Sequence, residues 1–241
     1  MFGLIQGLTE FLPVSSSGHL ILFQHLFDMP DDMLLFNILL HVATLCAVLI
    51  VFRKKIWQLI RHPLNKTNYC LIISTVITCT LVVIFKDIID KTFTHKILPI
   101  TFLVTAIVLF STTFIKPKDR DVTYKSSVLA GFAQGIAVIP GLSRSGVTIS
   151  TMLATGTKRE EAAEFSFLMS IPIIIASFVL ELITSDGAFN IDIWPAIVAF
   201  IAAFISGILA IKFMLVVIKK VKLYWFSLYL VILAIVCLIL F

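Results

Sequence analysis

Pro13-Val14-Ser15-Ser16-Ser17-Gly18 and Pro140-Gly141-Leu142-Ser143-Arg144-Ser145-Gly146 close two apolar stretches, Phe2 to Val14 and Val128 to Ile139, that are too short to cross a bilayer. A spanning helix needs about 20 apolar residues. Each break is followed by a further short helical pattern, so residues 2–27 and 126–155 each read as helix, loop, helix entering the membrane and turning back. Non-helical backbone survives at that depth only where protein or a water-filled cavity satisfies its polar groups. Polar loops inside so apolar a chain therefore point to a site.

The surrounding sequence fits that frame. Of 241 residues 59% are apolar and 14% charged, with a mean hydropathy of +1.07; soluble domains carry about 25% charged residues, which excludes a water-soluble globule. Six segments are long enough, or nearly so, to span: Met33 to Phe52, Tyr69 to Phe85, Ile97 to Ile115, Phe165 to Ile183, Ile193 to Ile218 and Leu223 to Phe241. The net charge of +5 comes from clusters between these runs, the pattern of membrane flanks rather than of a nucleic-acid surface. Loops 53–66, 116–125, 157–161 and 219–222 hold 14 of the 19 Lys and Arg; Lys86, Lys91 and Lys96 lie on the other side. The richer side is expected to be cytoplasmic, with Asp28 to Asp32, the Asp186 to Asp192 loop and both termini outside. Lys212 can snorkel to its helix end, whereas Arg144 sits in a break. Cys46, Cys70, Cys79 and Cys237 form no CxxC pair and read as packing residues. Met1-Phe2-Gly3-Leu4 carries no pattern of a cleavable signal.

A shift of 128 residues superposes Gln6-Gly7 on Gln134-Gly135, Ser15 on Ser143, Ser17 on Ser145 and Gly18 on Gly146. Two homologous halves follow, residues 1–118 and 122–241, each a re-entrant hairpin plus three spans (33–52, 69–85, 97–115; then 165–183, 193–218, 223–241). An odd number of crossings inverts the second half. The expected fold is thus an all-α integral membrane protein, an inverted-topology repeat with six transmembrane helices and two opposed hairpins meeting near the midplane, where such proteins build their sites. Helix N-termini starting near Gly18 and Gly146 would aim free N–H groups at that point and favour an anion.

The two breaks differ in informative ways. Ser16 corresponds to Arg144, His19 to Val147 and Glu10 to Val138. One hairpin brings a hydroxyl, an imidazole and a carboxylate; the other brings a guanidinium flanked by Ser143, Ser145 and Thr148. An Arg fork among hydroxyls matches a phosphate group, and an imidazole is suited to passing a proton. The plainer readings are Ser-rich packing and a structural Arg144–Glu10 ion pair locking the halves. His41 reads equally as hydrogen-bonded structure or function; His25, His62 and His95 read as solvated interface residues.

Gln6-Gly-Leu-Thr-Glu10-Phe-Leu-Pro-Val-Ser-Ser16-Ser-Gly-His19 and Pro140-Gly-Leu-Ser143-Arg144-Ser145-Gly-Val-Thr148 resemble the two signature segments of the undecaprenyl-diphosphate phosphatase family, the bacterial enzymes linked to bacitracin resistance. Lys158 to Pro172 also resembles the family, so the likeness covers nearly the whole chain. It implies a multi-pass phosphatase of the bacterial inner membrane that removes the terminal phosphate of a C55 isoprenyl diphosphate, recycling the carrier lipid for cell-wall synthesis. It also implies a divalent cation, Mg2+ or Ca2+, and an active site facing the outer side. Carried onto this chain, Glu10 is the acidic motif residue and metal ligand, Ser16 a candidate nucleophile activated by His19, with a water activated by Glu10 or His19 as the alternative, His19 a general acid or base and Arg144 the phosphate clamp. Gln6, Ser15, Ser17, Ser143, Ser145 and Thr148 are the phosphate-binding set. Many members have Glu where this chain has Gln6, so a two-carboxylate metal site is not available. The expected partners are the polyprenyl diphosphate and the bilayer, not nucleic acid, with a homodimer left open. Lipid phosphatases of the PSGH/SRxxxxxHxxxD kind fail on spacing, since Ser150 stands where their His should be. A lipid-phosphate flippase or transporter is the competing reading, because opposed hairpins also build carriers.

Overall fold

The computed structural model describes residues 1–29, 34–86, 89, 92, 94–116, 118–184 and 193–241. Among them it forms eleven α-helices: α1 (Phe2–Phe11), α2 (Ser16–Leu26), α3 (Leu34–Val51), α4 (Arg53–Arg61), α5 (Lys66–Ile84), α6 (Leu98–Ser111), α7 (Tyr124–Ile136), α8 (Arg144–Ala154), α9 (Arg159–Thr184), α10 (Ile193–Lys220) and α11 (Tyr224–Leu240). The described residues hold no strand, only an isolated bridge between Arg120 and Thr157. Asp31, Asp32, Lys91 and residues 185–192 lie outside the described residues.

The helices begin and end for local reasons. Pro13 forces the preceding Leu12 into extended backbone (ψ 146°), which ends α1. Ser15 and Ser143 then act as N-caps of α2 and α8, their hydroxyls accepting from the Gly18 and Gly146 amides at 3.2 and 3.1 Å. The second break turns at Gly141, whose φ of +85° places it where a Cβ would strike the Thr101 side chain.

Four helical stretches are long and apolar enough to cross a membrane: Lys66–Ile84, His95–Phe114, Arg159–Leu180 and Ile193–Lys220. A fifth arises if α3 and α4, bent by 75°, count as one span, and Tyr224–Leu240 is apolar but shorter. The expected span boundaries differ from the helices in two places. The segment after Phe52, read as a basic loop, forms α4, whose charges hid an amphipathic pattern with Leu59 buried and Trp57 and Ile60 outward. The span expected from Phe165 starts at Arg159, because Glu160 and Glu161 suit a first helical turn and Ala162 and Ala163 are fully buried.

The short helices are held by close backbone contacts with long ones. In α1, Gly3 lies on Ala199 and Gly7 on Ala203 and Ser206 of α10; in α7, Gly131 lies on Ser74 and Gly135 on Leu81 of α5. Gly3 and Gly131, like Gly7 and Gly135, stand 128 residues apart, and positions so spaced make like contacts, α1 on α10 and α7 on α5. α6 packs on α11 and α3 on α9 and α10, enclosing a core that includes Phe11, Phe102, Phe165, Phe167 and Met169. Gly7→Val drives a side chain into the Ser206 hydroxyl and the Ala203 carbonyl. Overpacking of this kind costs about 1–3 kcal/mol; a lowered melting temperature in detergent is expected, and an unchanged one would contradict the α1–α10 packing.

Candidate active site

The two breaks touch. Ser145 Oγ donates to the Leu12 carbonyl at 3.1 Å, and the Ser143 amide donates to Thr105 Oγ1 at 3.1 Å, fixing the second break to α6. Across this junction Arg144 Nη2 pairs with Glu10 Oε1, a contact between residues 134 positions apart in sequence. The Glu10 side chain is 2% exposed and that of Arg144 21%. A buried carboxylate needs a charged partner and filled acceptor sites, and Glu10 has both. Its Oε2 accepts from Ser16 Oγ at 2.5 Å and from Gln6 Nε2 at 3.0 Å.

The second hydrogen of the Gln6 amide faces His41 Nδ1 at 2.9 Å, and His41 Nδ1 is 3.4 Å from Glu10 Oε2. His41 thus belongs to the cluster. Its signal in the sequence was only a polar residue within an apolar run, since the contact joins α1 to α3 across 35 residues.

Glu10, Ser15, Ser16, Ser17, Ser143, Arg144 and His41 all line one cavity of about 1050 Å³. Its other walls are largely apolar, with Leu20, Ile38, Ile173 and Ile174, and it reaches His25, Asp28, His95 and Lys96 at the ends of α2 and α6. There the rings of His25 and His95 stack at 4.3 Å. His62 lies apart, closing α4.

Three of the expected phosphate ligands turn elsewhere. Gln6 is fully buried behind Glu10, Ser145 is engaged by Leu12, and Thr148 Oγ1 meets Ser166 Oγ at 2.5 Å; none lines the cavity. His19, expected to activate Ser16, is also absent from the cavity wall. It is 4% exposed, with Nδ1 on the Ser15 carbonyl at 2.7 Å and Nε2 on the Tyr229 hydroxyl at 2.6 Å. The partner of the Ser16 hydroxyl is Glu10 instead, because Ser16 stands at the first turn of α2, facing α1, and His19 one turn on faces α11. Among the described residues, Gln6 Oε1 and Gln134 Oε1 are buried without a hydrogen-bond partner. No group of three or more His, Cys, Asp or Glu arranged for a metal occurs among them.

Chemically, the cavity offers a planar cation, a hydroxyl whose proton already faces a carboxylate, and two serine-capped helix N-termini. Such a set receives an anion and can activate an oxygen nucleophile against it.

Comparison with known proteins bears on what that anion is. The family model described as "Bacitracin resistance protein BacA" matches residues 1–236. Among similar proteins is an undecaprenyl-diphosphatase of Carboxydothermus hydrogenoformans, 42% identical over 248 residues, spanning 100% of this chain and 95% of that protein. An undecaprenyl-diphosphatase of Treponema denticola is 40% identical, covering 96% of this chain and 92% of its own length. One of Korarchaeum cryptofilum is 38% identical, covering 98% and 95%.

Proposed function

This chain belongs to the bacitracin resistance protein BacA family, and we propose that it is an integral membrane enzyme hydrolysing undecaprenyl diphosphate to undecaprenyl phosphate and inorganic phosphate. The observation that carries the reading is the Ser16–Glu10–Arg144 junction inside one cavity. Diphosphate hydrolysis needs positive charge on the transferred phosphoryl group and a placed nucleophile. Arg144 supplies the charge, leaving Glu10 for the terminal phosphate as the substrate enters. Ser16 Oγ forms a bond to the terminal phosphorus while its proton passes to Glu10; the bridging P–O bond breaks, and undecaprenyl phosphate departs with that proton. Water then attacks the phosphoserine, Glu10 takes its proton and returns it to Ser16 Oγ, and orthophosphate is released. Ser15, Ser17 and Ser143, with the N-termini of α2 and α8, bind the phosphate oxygens.

A hard divalent cation, Mg2+ or Ca2+, would have Glu10 as its one carboxylate in the cavity, since Gln6 lies behind Glu10 and outside the cavity wall. With a single carboxylate, the diphosphate's own oxygens would complete the coordination. Such an ion, when bound, neutralises the diphosphate charge. A chelator is expected to remove most phosphate release, and added magnesium to restore it; full activity in the chelator would exclude the ion.

The fine topology follows the same reading. Six spans, two re-entrant hairpins (2–27 and 126–155) and inverted halves (1–118 and 122–241) are supported by the α1–α10 and α7–α5 contacts at glycines 128 residues apart. The cavity opens toward Asp28, just past the end of α2, and His95, just before α6, whose other end leads to the basic run at 116–125. By the positive-inside bias that mouth faces the outer side of the bacterial inner membrane. The isoprenyl tail leaves the cavity along its apolar wall into lipid.

Purified protein in detergent, given C55 diphosphate, is expected to release orthophosphate. A carrier using the same site has no second compartment in detergent and releases none, so binding without turnover would favour a flippase.

A further inference from the structure

Ser15, not a glycine, holds φ +67° and ψ 97° at the start of the Ser15-Ser16-Ser17 run. A non-glycine residue persists in such a conformation only when its surroundings over-determine it. Here the Ser15 hydroxyl is held by the Gly18 amide and its carbonyl by His19. The Ser15 carbonyl accepts both the His19 amide at 3.2 Å and the His19 ring at 2.7 Å. A carbonyl only accepts, so Nδ1 carries the ring proton, and in a neutral ring Nε2 must then be the acceptor. It accepts from the Tyr229 hydroxyl at 2.6 Å, and the two rings lie parallel within 4°. The edge of Phe102 completes the enclosure. Both ring nitrogens are thereby occupied by uncharged partners, and the residue lies outside the cavity wall, 4% exposed.

We infer that His19 is a positioning residue rather than the proton carrier of the reaction: anchored by Tyr229, it holds Ser15 in its left-handed conformation and thereby keeps the Ser16 hydroxyl on Glu10. Tyr229, on the last helix and 210 residues away, becomes part of the same device. The inference rests on the reading of Ser16 as nucleophile.

Two substitutions separate the ring nitrogens. In His19→Asn the side-chain amide can still donate to the Ser15 carbonyl, as Nδ1 does; His19→Ala removes both bonds. Orthophosphate release in detergent, with melting temperature measured on each sample, is the readout. His19→Asn is expected to keep kcat within about tenfold of the parent, the scale of one hydrogen bond, with an unchanged pH–rate profile. His19→Ala is expected to lose about a hundredfold or more, and Tyr229→Phe to lower kcat severalfold at constant KM and melting temperature. A proton carrier would instead lose about 10²–10⁴-fold in every variant lacking the imidazole. A folded His19→Asn protein as inactive as His19→Ala therefore overturns the inference. Should His19→Asn fail to fold, Tyr229→Phe decides alone: lowered kcat at constant KM with an unchanged pH–rate profile supports the device, and an unchanged kcat or a shifted profile overturns it. Inactivity of the parent protein would instead reject the phosphatase reading, and full activity of Ser16→Ala would reject the nucleophile.

Discussion

Arg144→Ala is expected to abolish orthophosphate release, with a loss of about 10³-fold or more in kcat, the scale on which an arginine placed on a transferred phosphoryl group acts. The alanine leaves both the terminal phosphate and Glu10 without their cation. Arg144→Lys keeps a charge but not the planar fork, so it should fall between the two. Glu10→Gln removes the carboxylate that accepts from Ser16 at 2.5 Å and should be about as inactive as Arg144→Ala. Because either change opens a buried pair, the melting temperature belongs with the assay; a folded variant with normal turnover would dismantle the site. If the Arg144–Glu10 pair were only a lock between the halves, both variants would lose stability in proportion to activity.

Ser16→Ala carries the second large effect. Removal of a nucleophile that acts as a unit with its base costs orders of magnitude, and combining the two losses adds little. Ser16→Ala should therefore lose about 10⁴-fold or more, and the Ser16→Ala/Glu10→Gln double variant should be no worse than the weaker single variant. Were water the direct attacker, Ser16→Ala would stay within about tenfold, the scale of a single hydrogen bond, and the double variant would be much worse than Ser16→Ala alone.

The parts of this molecule that were legible in its sequence are those written in local chemistry. Pro13, Gly141 and the capping serines mark both helix breaks, because each acts through its own backbone within a few residues. The pairing of Glu10 with Arg144 was legible through cost: two charges inside so apolar a chain need each other. What escaped were orientations set at long range. His19 looked available to Ser16 because the two are three residues apart, but its direction is decided by Tyr229. His41 carried no motif, and only the packing of α1 on α3 brings it to Gln6 and Glu10. Helix α4 was hidden by its own Arg and Lys, which lower hydropathy without disturbing helical periodicity.

If the two helix breaks form a single phosphate site, a bound substrate analogue must reach both. The most direct test is a structure of the protein with a methylene-bridged isoprenyl diphosphate, which cannot be cleaved at the bridge. The terminal phosphate is expected on the Arg144 guanidinium with Ser16 Oγ in line for attack on its phosphorus. A head group resting instead among His25, His95 and Lys96, with the Arg144–Glu10 pair intact, would contradict a single site.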